Sequence, residues 1–254
     1  GGALARAVAK TADPVAIILN NRTMDKAKAL AEELECRYAQ TEFIAKNCYF
    51  IFLGVKPQTM GSLLEELAPI LAERTGRFVL VSMAAGLTIQ KIEEMVGTQL
   101  PVIRIMPNTP VAVGKGMIQY CANDLVNDAT LQNFLSDMRF TGKLDRLDEH
   151  LIDAATALSG SGPAYMYILM EALADGAVSC GIPRAKAMEY AAATMAGAAE
   201  MVLQTGMHPG ALKDAVCSPG GSTLVGIRTL EQRGFRSAAI DCVIAAFEKN
   251  KQLG

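Results

Sequence analysis

The chain has 254 residues, a formal net charge of −2, 51% hydrophobic and only 6% aromatic residues, and no tryptophan. Because nucleic-acid binding needs a basic surface, the near-neutral charge and scattered lysines and arginines argue against nucleic acid as a partner. The sequence contains no charge-free run of roughly 18 apolar residues, the length that crosses a membrane, so we expect no membrane association and no signal peptide.

The first part of the chain alternates short apolar runs with amphipathic segments. The apolar runs predict five strands, at residues 15–19, 49–55, 78–82, 102–106 and 117–121. The segments between them predict helices at 24–34, 62–72 and 89–96, and an apolar helix follows the two glycines at the start. Buried strands separated by helices are typical of βαβ units, which build a mostly parallel sheet.

The second part of the chain lacks strand-like runs. It predicts six helices, at residues 150–159, 164–180, 184–205, 209–216, 222–233 and 235–252. Gly181, Gly206 and Gly234 stand where glycine commonly ends a helix. The predicted fold class is therefore α/β, with a Rossmann-like doubly wound parallel sheet over residues 1–146 and an all-α domain over residues 147–254.

A dinucleotide site is predicted first at the end of the strand 15–19. In Rossmann folds that prefer NAD, an acidic residue here binds the ribose 2′-hydroxyl, whereas an arginine accommodates the 2′-phosphate of NADP. Asn21 and Arg22 follow this strand without an acid, and Lys26 lies one turn further on. They favour NADP(H), although an arginine at a helix start is also often simply solvated. Gly1 and Gly2 match the end of a glycine-rich phosphate turn, but they also fit an arbitrary chain end.

Three successive strand ends carry small residues or proline, which let a flat cofactor lie close to the backbone. Ligands of open α/β sheets bind at the carboxyl ends of the strands. Each segment could also be a tight turn alone, but three in succession predict a cofactor cleft. The cofactor-binding residues predicted here are Val55, Lys56 and Pro57, then Ala84 and Ala85, then Asn108.

The six cysteines are far apart in the sequence and include no CxxC pair. Such spacing predicts reduced thiols in a cytoplasmic protein rather than a disulfide framework, and it offers no metal site. Two histidines, His150 and His208, could add metal ligands. His208 is followed by Pro209, so we interpret it as part of a helix start and not as a catalytic group.

Residues 217–223, with the sequence CSPGGST, are the main candidate for a substrate site. Proline and paired glycines predict a bend that leads into a helix, where backbone N–H groups bind anions. A substrate carboxylate fits such a position. The residues by themselves leave an ordinary Gly-Gly turn between two helices as an equal alternative.

Five segments, in this order, make the chain resemble the pyrroline-5-carboxylate reductases. They are VKPQ at 55–58, SMAAG at 82–86, RIMPNTP at 104–110, LSGSGPAY at 158–165 and DAVCSPGGSTLVGIRTLE at 214–231. The last segment is similar to the signature of that family, and the resemblance covers essentially the whole chain. In the family, a first strand and its leading glycines would precede Gly1.

The resemblance implies an oxidoreductase of proline biosynthesis that reduces the imine 1-pyrroline-5-carboxylate to L-proline with NADPH, or with NADH as the alternative donor. It implies that Thr223 hydrogen-bonds the ring nitrogen and is the catalytic residue. The implied substrate pocket is lined by Val216, Ser218, Gly221 and Ser222 together with Thr223. The resemblance also implies a homodimer through the C-terminal helices, a higher homo-oligomer, and active sites that the partner subunit completes.

Two other functions compete with this hypothesis. A reductase of the β-hydroxyacid dehydrogenase type has the same two-part layout, but such enzymes use a lysine early in the helical domain, and none occurs between Lys143 and Lys186. The second rival is an inactive dimeric NADP-binding scaffold, which has no need of an anion-binding loop. Lys56 is a further candidate proton donor, which we interpret instead as a wall of the cofactor cleft.

Overall fold

The computed structural model of the chain describes residues 1–10 and 12–252. The chain divides into two compact units. The first consists of Gly1–Ser161 together with the end of the chain from Ala246, and the second is Gly162–Ala245. Residues 147–161 thus belong to the first unit, because Ile152 is fully buried in its core and neighbouring side chains bond to its sheet. The division into functional domains at residues 1–146 and 147–254 remains a prediction.

The first unit alternates strands and helices. Its strands are β1 (Ile18–Leu19), β2 (Arg37–Tyr38), β3 (Phe50–Leu53), β4 (Val79–Ser82), β5 (Val102–Met106), β6 (Gly116–Ala122) and β7 (Gly142–Arg146). Its helices are α1 (Gly2–Val8), α2 (Met24–Glu33), α3 (Thr41–Asn47), α4 (Met60–Ala72), α5 (Ile89–Val96), α6 (Asp128–Met138) and α7 (Glu149–Ala155). Short 3₁₀ turns occupy Pro14–Ala16, Pro57–Thr59 and Thr109–Val113, and a π-helical turn occupies Thr156–Gly160.

The strands form a Rossmann-like sheet in the order β3-β4-β5-β6-β7, in which every neighbouring pair is parallel except β5 and β6. Strands β1 and β2 make a separate parallel pair. Leu53 lies beside Ser82, and Ser82 lies beside Arg104. Because β3, β4 and β5 run in the same direction, their carboxyl ends share one edge of the sheet, and the segments predicted to bind cofactor follow that edge.

The core of the first unit lies on both faces of this sheet. Every residue of β4 and β5 is buried, so their side chains alternate between two apolar clusters. Leu80 and Val102 face one cluster, whereas Val81 and Ile103 face the other. Burial of one such side chain stabilises a fold by about 1.5–3 kcal/mol. The continuous apolar pattern of these strands, read from the sequence, is therefore explained by burial on both faces.

The predicted strand 15–19 is wrong over most of its length. Residues Pro14–Ala16 form a 3₁₀ turn, whose start is capped because Asp13 accepts a hydrogen bond from the N–H of Val15. Val15 is 63% exposed, so it does not belong to the core that its apolar type indicated. The strand is reduced to Ile18–Leu19. Proline, which fixes φ and lacks an N–H, and the capping aspartate decide this local structure.

The second unit is helical. Its helices are α8 (Gly162–Ser179), α9 (Arg184–Thr205), α10 (Pro209–Ala215), α11 (Ser222–Gln232) and most of α12 (Phe235–Lys251). Gly181, Gly206 and Gly234 all have positive φ, as their predicted role at helix ends requires. Among the described residues, no helix is both long enough and apolar enough to span a membrane.

Candidate cofactor and substrate sites

The carboxyl end of β3 comes very close to the start of α1. A Cβ added at Gly54 would lie 3.0 Å from Cε of Met83 and 3.6 Å from Cα of Gly1. An added Cβ would thus be crowded only by the flexible end of Met83 and would be in ordinary contact with Gly1. The backbone of Gly1 lies at the edge where α/β sheets bind ligands. The residues present therefore fit a dinucleotide whose phosphates lie against bare backbone.

Asn21 and Arg22 lie in the turn between β1 and α2. The side chain of Asn21 accepts a hydrogen bond from the N–H of Thr23 at 2.9 Å, which folds the turn back on itself. The amide of Asn20 donates to the carbonyl of Ala39, beyond β2, at 2.8 Å. Arg22 is exposed at the apex of this anchored turn. Its position fits the predicted contact with a 2′-phosphate.

The segment after β3 is shaped by Pro57, because the residue before a proline is restricted to extended conformations. Lys56 is extended, with φ −67° and ψ 148°, and Pro57 begins a 3₁₀ turn. Both the N–H and the hydroxyl of Thr59 donate to the carbonyl of Lys56, at 2.9 and 3.0 Å. Val55 packs partly against the core, while the side chain of Lys56 is exposed. The turn is closed by two hydrogen bonds and presents a cationic side chain to solvent.

The segment after β4 consists mainly of small residues that are buried or half-buried. Ser82 is fully buried, and its hydroxyl accepts from the N–H of Ala84 at 3.4 Å. Ala84 as a whole is only 1% exposed, so its main chain and its side chain are both covered. Ala85 is half-buried, and Gly86 has a φ of +76°. Small residues here keep the turn close to the sheet.

Sequence reasoning missed the buried ionic cluster beneath this edge. Arg104 of β5 is 0% exposed, and its guanidinium donates to Asp153 at 2.7 Å and to Glu149 at 3.4 Å. Glu149 also accepts from the N–H of Ile89, the first residue of α5, at 2.7 Å. Burial, and then the nearby Glu149 carboxylate, raise the pKa of the Cys121 thiol to about 12. The sequence signal for this cluster was an arginine inside an apolar strand, together with two acidic residues one helical turn apart.

Asn108, which follows β5, makes hydrogen bonds at both ends of its side chain. Its Nδ2 donates to the carbonyl of Ser159, and its Oδ1 accepts from the N–H of Met117, both at 3.0 Å. The hydroxyl of Ser159 lies 3.0 Å from Oε1 of Gln119. The segments RIMPNTP and LSGSGPAY are therefore joined in space.

The loop between α10 and α11 is a tight turn of residues 218–221. The N–H of Gly221 donates to the carbonyl of Ser218 at 2.9 Å. Pro219 occupies the second position and Gly220, with a φ of +71°, the third, which is the residue pattern of a type II turn. A Cβ added at Gly221 would lie 2.5 Å from the hydroxyl oxygen of Ser218 and 3.0 Å from its carbonyl oxygen. Both glycines are thus required by the turn.

This turn leads directly into α11 and leaves the first backbone N–H groups of that helix exposed. Gly221 is the N-cap residue and provides no side-chain acceptor. Ser218, Ser222 and Thr223 are exposed around the helix start, and Val216 beside them is 65% exposed. Unsatisfied N–H groups and the positive end of the helix dipole together favour an anion. The predicted substrate residues are therefore gathered at one helix start.

The structure confirms the interpretation of His208 as part of a helix start. Its Nδ1 accepts a hydrogen bond from the N–H of Gly210 at 3.0 Å, which caps α10. All six cysteines, each within the described part of the chain, carry free thiols. Among residues 1–10 and 12–252, no three His, Cys, Asp or Glu side chains are grouped so that they could hold a metal ion.

The architecture and these sites define the class of protein. The first unit has a largely parallel sheet with an edge suited to a dinucleotide, and the second is a helical unit with a helix start suited to an anion. This is the layout of a two-domain nicotinamide-linked oxidoreductase. In agreement, residues 1–86 match the family model described as NADP oxidoreductase coenzyme F420-dependent.

Similarity to known proteins identifies the family. The chain belongs to the pyrroline-5-carboxylate reductase family of oxidoreductases. It is 40% identical over 230 residues to the Escherichia coli enzyme, spanning 90% of this chain and 84% of the relative. It is 38% identical to the Synechocystis enzyme over 253 residues, or 99% and 93% of the two chains. The crystal structure of Plasmodium falciparum pyrroline carboxylate reductase with NADP bound superposes with a TM-score of 0.86 at 33% identity, covering 100% and 94%.

The helical part of the chain carries its own family match. Residues 149–253 match the model described as pyrroline-5-carboxylate reductase dimerisation, which supports a homo-oligomer. The second unit has little apolar interior of its own, since its fully buried side chains are alanines. Its large apolar residues that are more than half exposed are Tyr167, Ile168, Tyr190, Met201, Leu203, Val216, Leu224, Val225, Ile240 and Ile244. An exposed apolar surface of this extent is typical of an interface between subunits.

Proposed function

We propose that the chain reduces 1-pyrroline-5-carboxylate to L-proline with NADPH, the last step of proline biosynthesis. The observation that carries this proposal is the start of α11, where a glycine-proline turn exposes N–H groups to an anion. A cyclic amino-acid precursor has a carboxylate of the right charge for such a position. Family membership supplies the identity of the ring.

The substrate residues of the proposal are those of this turn and helix start. The N–H groups after Gly221 hold the carboxylate, with the hydroxyls of Ser218 and Ser222 beside it. Val216 provides an apolar wall for the ring carbons. The hydroxyl of Thr223, the second residue of α11, orients the ring nitrogen.

The cofactor residues of the proposal lie along the sheet edge of the first unit. They are Gly1, Asn21, Arg22, Val55, Lys56, Pro57, Ala84 and Ala85. The exposed guanidinium of Arg22 favours a donor with a 2′-phosphate, so NADPH is the preferred cofactor and NADH the alternative. When bound, the reduced nicotinamide supplies the hydride for the C=N carbon.

The protein itself contributes mainly positioning. An imine accepts hydride more readily when its nitrogen is protonated, so the residues need only bind the ring with the nitrogen oriented. Thr223 holds this atom and can relay a proton from water. Alignment of this kind can supply roughly 7–11 kcal/mol of barrier lowering.

The proposal extends to assembly and location. The exposed apolar residues of the second unit support a homodimer through the C-terminal helices, and the small residues of α9 and α12 allow close helix packing in a higher homo-oligomer. The free thiols are compatible with a reducing cytoplasm.

The test is a steady-state assay of NADPH oxidation, which must depend on added imine. Thr223→Ala should lower kcat by about 10- to 100-fold, because the nitrogen loses its orienting hydroxyl. Thr223→Ser, which keeps the hydroxyl, is the matched control and should retain most of the activity. Little loss in Thr223→Ala would contradict the role of Thr223. Binding of NADPH without any turnover of the imine would instead favour the inactive scaffold.

A further inference from the structure

Each end of the Asn108 side chain already makes a hydrogen bond within the protein. Its Nδ2 donates to the carbonyl of Ser159 and its Oδ1 accepts from the N–H of Met117, both at 3.0 Å. Asn108 is half-buried in this arrangement. One N–H of Nδ2 and one lone pair of Oδ1 remain, but a rotation of the side chain toward a cofactor would break at least one of the two bonds.

A proline removes the donor that an α-helix would provide for the carbonyl of Ser159. In an α-helix the N–H of residue i bonds to the carbonyl of residue i−4, so residue 163 would serve Ser159. Pro163, the second residue of α8, has no N–H. The chain before α8 widens into a π-helical turn, in which the N–H of Ser161 donates to the carbonyl of Thr156 at 3.1 Å. Asn108 supplies the donor that Pro163 lacks.

The π-helical turn is held from a second side as well. The hydroxyl of Ser159 lies 3.0 Å from Oε1 of Gln119 on β6 and 2.9 Å from the carbonyl of Ala155. A Cβ added at Gly160 would lie 3.1 Å from Cγ2 of Thr156, so glycine keeps this turn compact. Turns of this type are rare and occur frequently at functional sites.

We propose that Asn108 is a positioning residue, which holds the π-helical turn 156–160 at the carboxyl end of β5 through its bond to Ser159. Its effect on catalysis comes from the placement of this turn and not from contact with the dinucleotide. This inference rests on the proposed function, since its kinetic consequence is a change in imine reduction. It replaces the direct cofactor contact that the sequence predicted for Asn108.

The experiment is a cycle of four chains: the wild type, Asn108→Asp, Pro163→Ala and the double variant. Asn108→Asp keeps the acceptor for Met117 but removes the N–H that serves Ser159. We expect it to lower kcat by about 10- to 100-fold, as misplacement near a site does, while the Kd of NADPH stays within about twofold. Pro163→Ala restores a local N–H, so the double variant should recover to within about threefold of the wild type.

Ser159→Ala is the matched control, because it removes the hydroxyl contacts but leaves the carbonyl in place. Pro163→Ala should therefore not rescue it. A weaker NADPH affinity in Asn108→Asp, without rescue by Pro163→Ala, would show direct cofactor contact and overturn the inference. If Asn108→Asp does not fold, Asn108→Ser takes its place in the same cycle.

Amide hydrogen exchange separates this inference from the proposed function. Asn108→Asp should speed exchange at Ser161, in the released turn, but not at Met117, whose acceptor remains. Pro163→Ala should restore protection at Ser161, and unchanged exchange there would overturn the inference whatever the kinetics. A wild-type chain that binds NADPH but does not reduce the imine would contradict the proposed function alone.

Discussion

The two units position their functional groups in different ways. At the sheet edge of the first unit, side chains are held by bonds to other parts of the same unit, as Arg104 is by Asp153 and Asn108 is by Ser159. At the start of α11, the functional side chains are exposed, and the local turn of residues 218–221 sets the backbone geometry. The first site depends on a buried network, whereas the second depends on two glycines and a proline.

This difference predicts how each region fails. Loss of the buried ion pairs of Arg104 should lower the stability of the first unit, with activity lost as a consequence. Damage to the turn should lower activity while the fold persists.

Arg104→Met should destabilise the protein by about 3 kcal/mol, because it leaves two carboxylates without their buried partner. Glu149 and Asp153 keep about a third or less of their side-chain surface exposed, which places the effect at the lower end for a buried pair. Urea unfolding measures this loss. Arg6→Met, which breaks the exposed pair with Glu33, is the control and should cost far less, because solvent screens an exposed pair. Equal losses in both variants would contradict the importance of burial.

Gly221→Ala should lower kcat/KM by about 100-fold with little change in stability. The new Cβ would meet the hydroxyl and carbonyl of Ser218, so the turn must open and the N–H groups of α11 move. Gly226→Ala is the control in the same helix, where an added Cβ meets nothing within 4 Å. It should leave activity intact and stabilise α11 slightly. Similar kinetics in the two variants would show that the turn geometry is not required.

Arg22→Ala should raise the KM for NADPH by about tenfold, because an exposed charged contact with the 2′-phosphate is lost. The KM for NADH is the internal control and should hardly change, since NADH lacks that phosphate. Parallel increases for both cofactors would show that Arg22 supports the fold of the turn and does not select NADPH.

Alkaline pH should weaken the first unit through Cys121. Its folded-state pKa is raised to about 12 from an ordinary value of 9.0, so stability is complete below pH 9 and is lost as pH rises toward 12. The slope is at most about 1.4 kcal/mol per pH unit. Cys121→Ala should flatten this dependence between pH 9 and 11 in urea unfolding, whereas Cys180→Ala, at an exposed cysteine, should not. Identical slopes in all three chains would refute the effect.

Much of the fold could be predicted because burial follows simple sequence patterns. Residues 102–106 and 89–96 were predicted with their observed limits, since the strand is buried on both faces and the helix is bounded by Thr88 and Gly97. The short helix α3 and strand β2 were not predicted, because their few residues are mostly exposed and carry little apolar periodicity.

The missed helix α6 had a readable signal. Asn127 caps it by accepting from the N–H of Thr130, and Leu131, Phe134 and Met138 are buried at helical spacing. Strand β7 had no such signal, since its side chains are largely exposed and it depends on its pairing with β6.

The two candidate sites also differ in how far the sequence predicts them. The α11 turn could be predicted because proline and glycine act locally, through φ and the space around Cβ. The acidic partners of Arg104, and Ser159 as a partner of Asn108, could not, because they lie 45 to 51 residues further along the chain and are brought near only by folding. Local chemistry was readable from the sequence, whereas the long-range hydrogen bonds that hold it were not.

The most direct test of the central claim is the role of the carboxylate. The wild-type chain should be assayed with NADPH on 1-pyrroline-5-carboxylate and on 1-pyrroline, the same ring without the acid group. If the start of α11 binds the carboxylate, kcat/KM should be at least about 100-fold higher for the acid, as expected when a charged hydrogen-bonding partner is lost. Values within about threefold of each other would contradict the account.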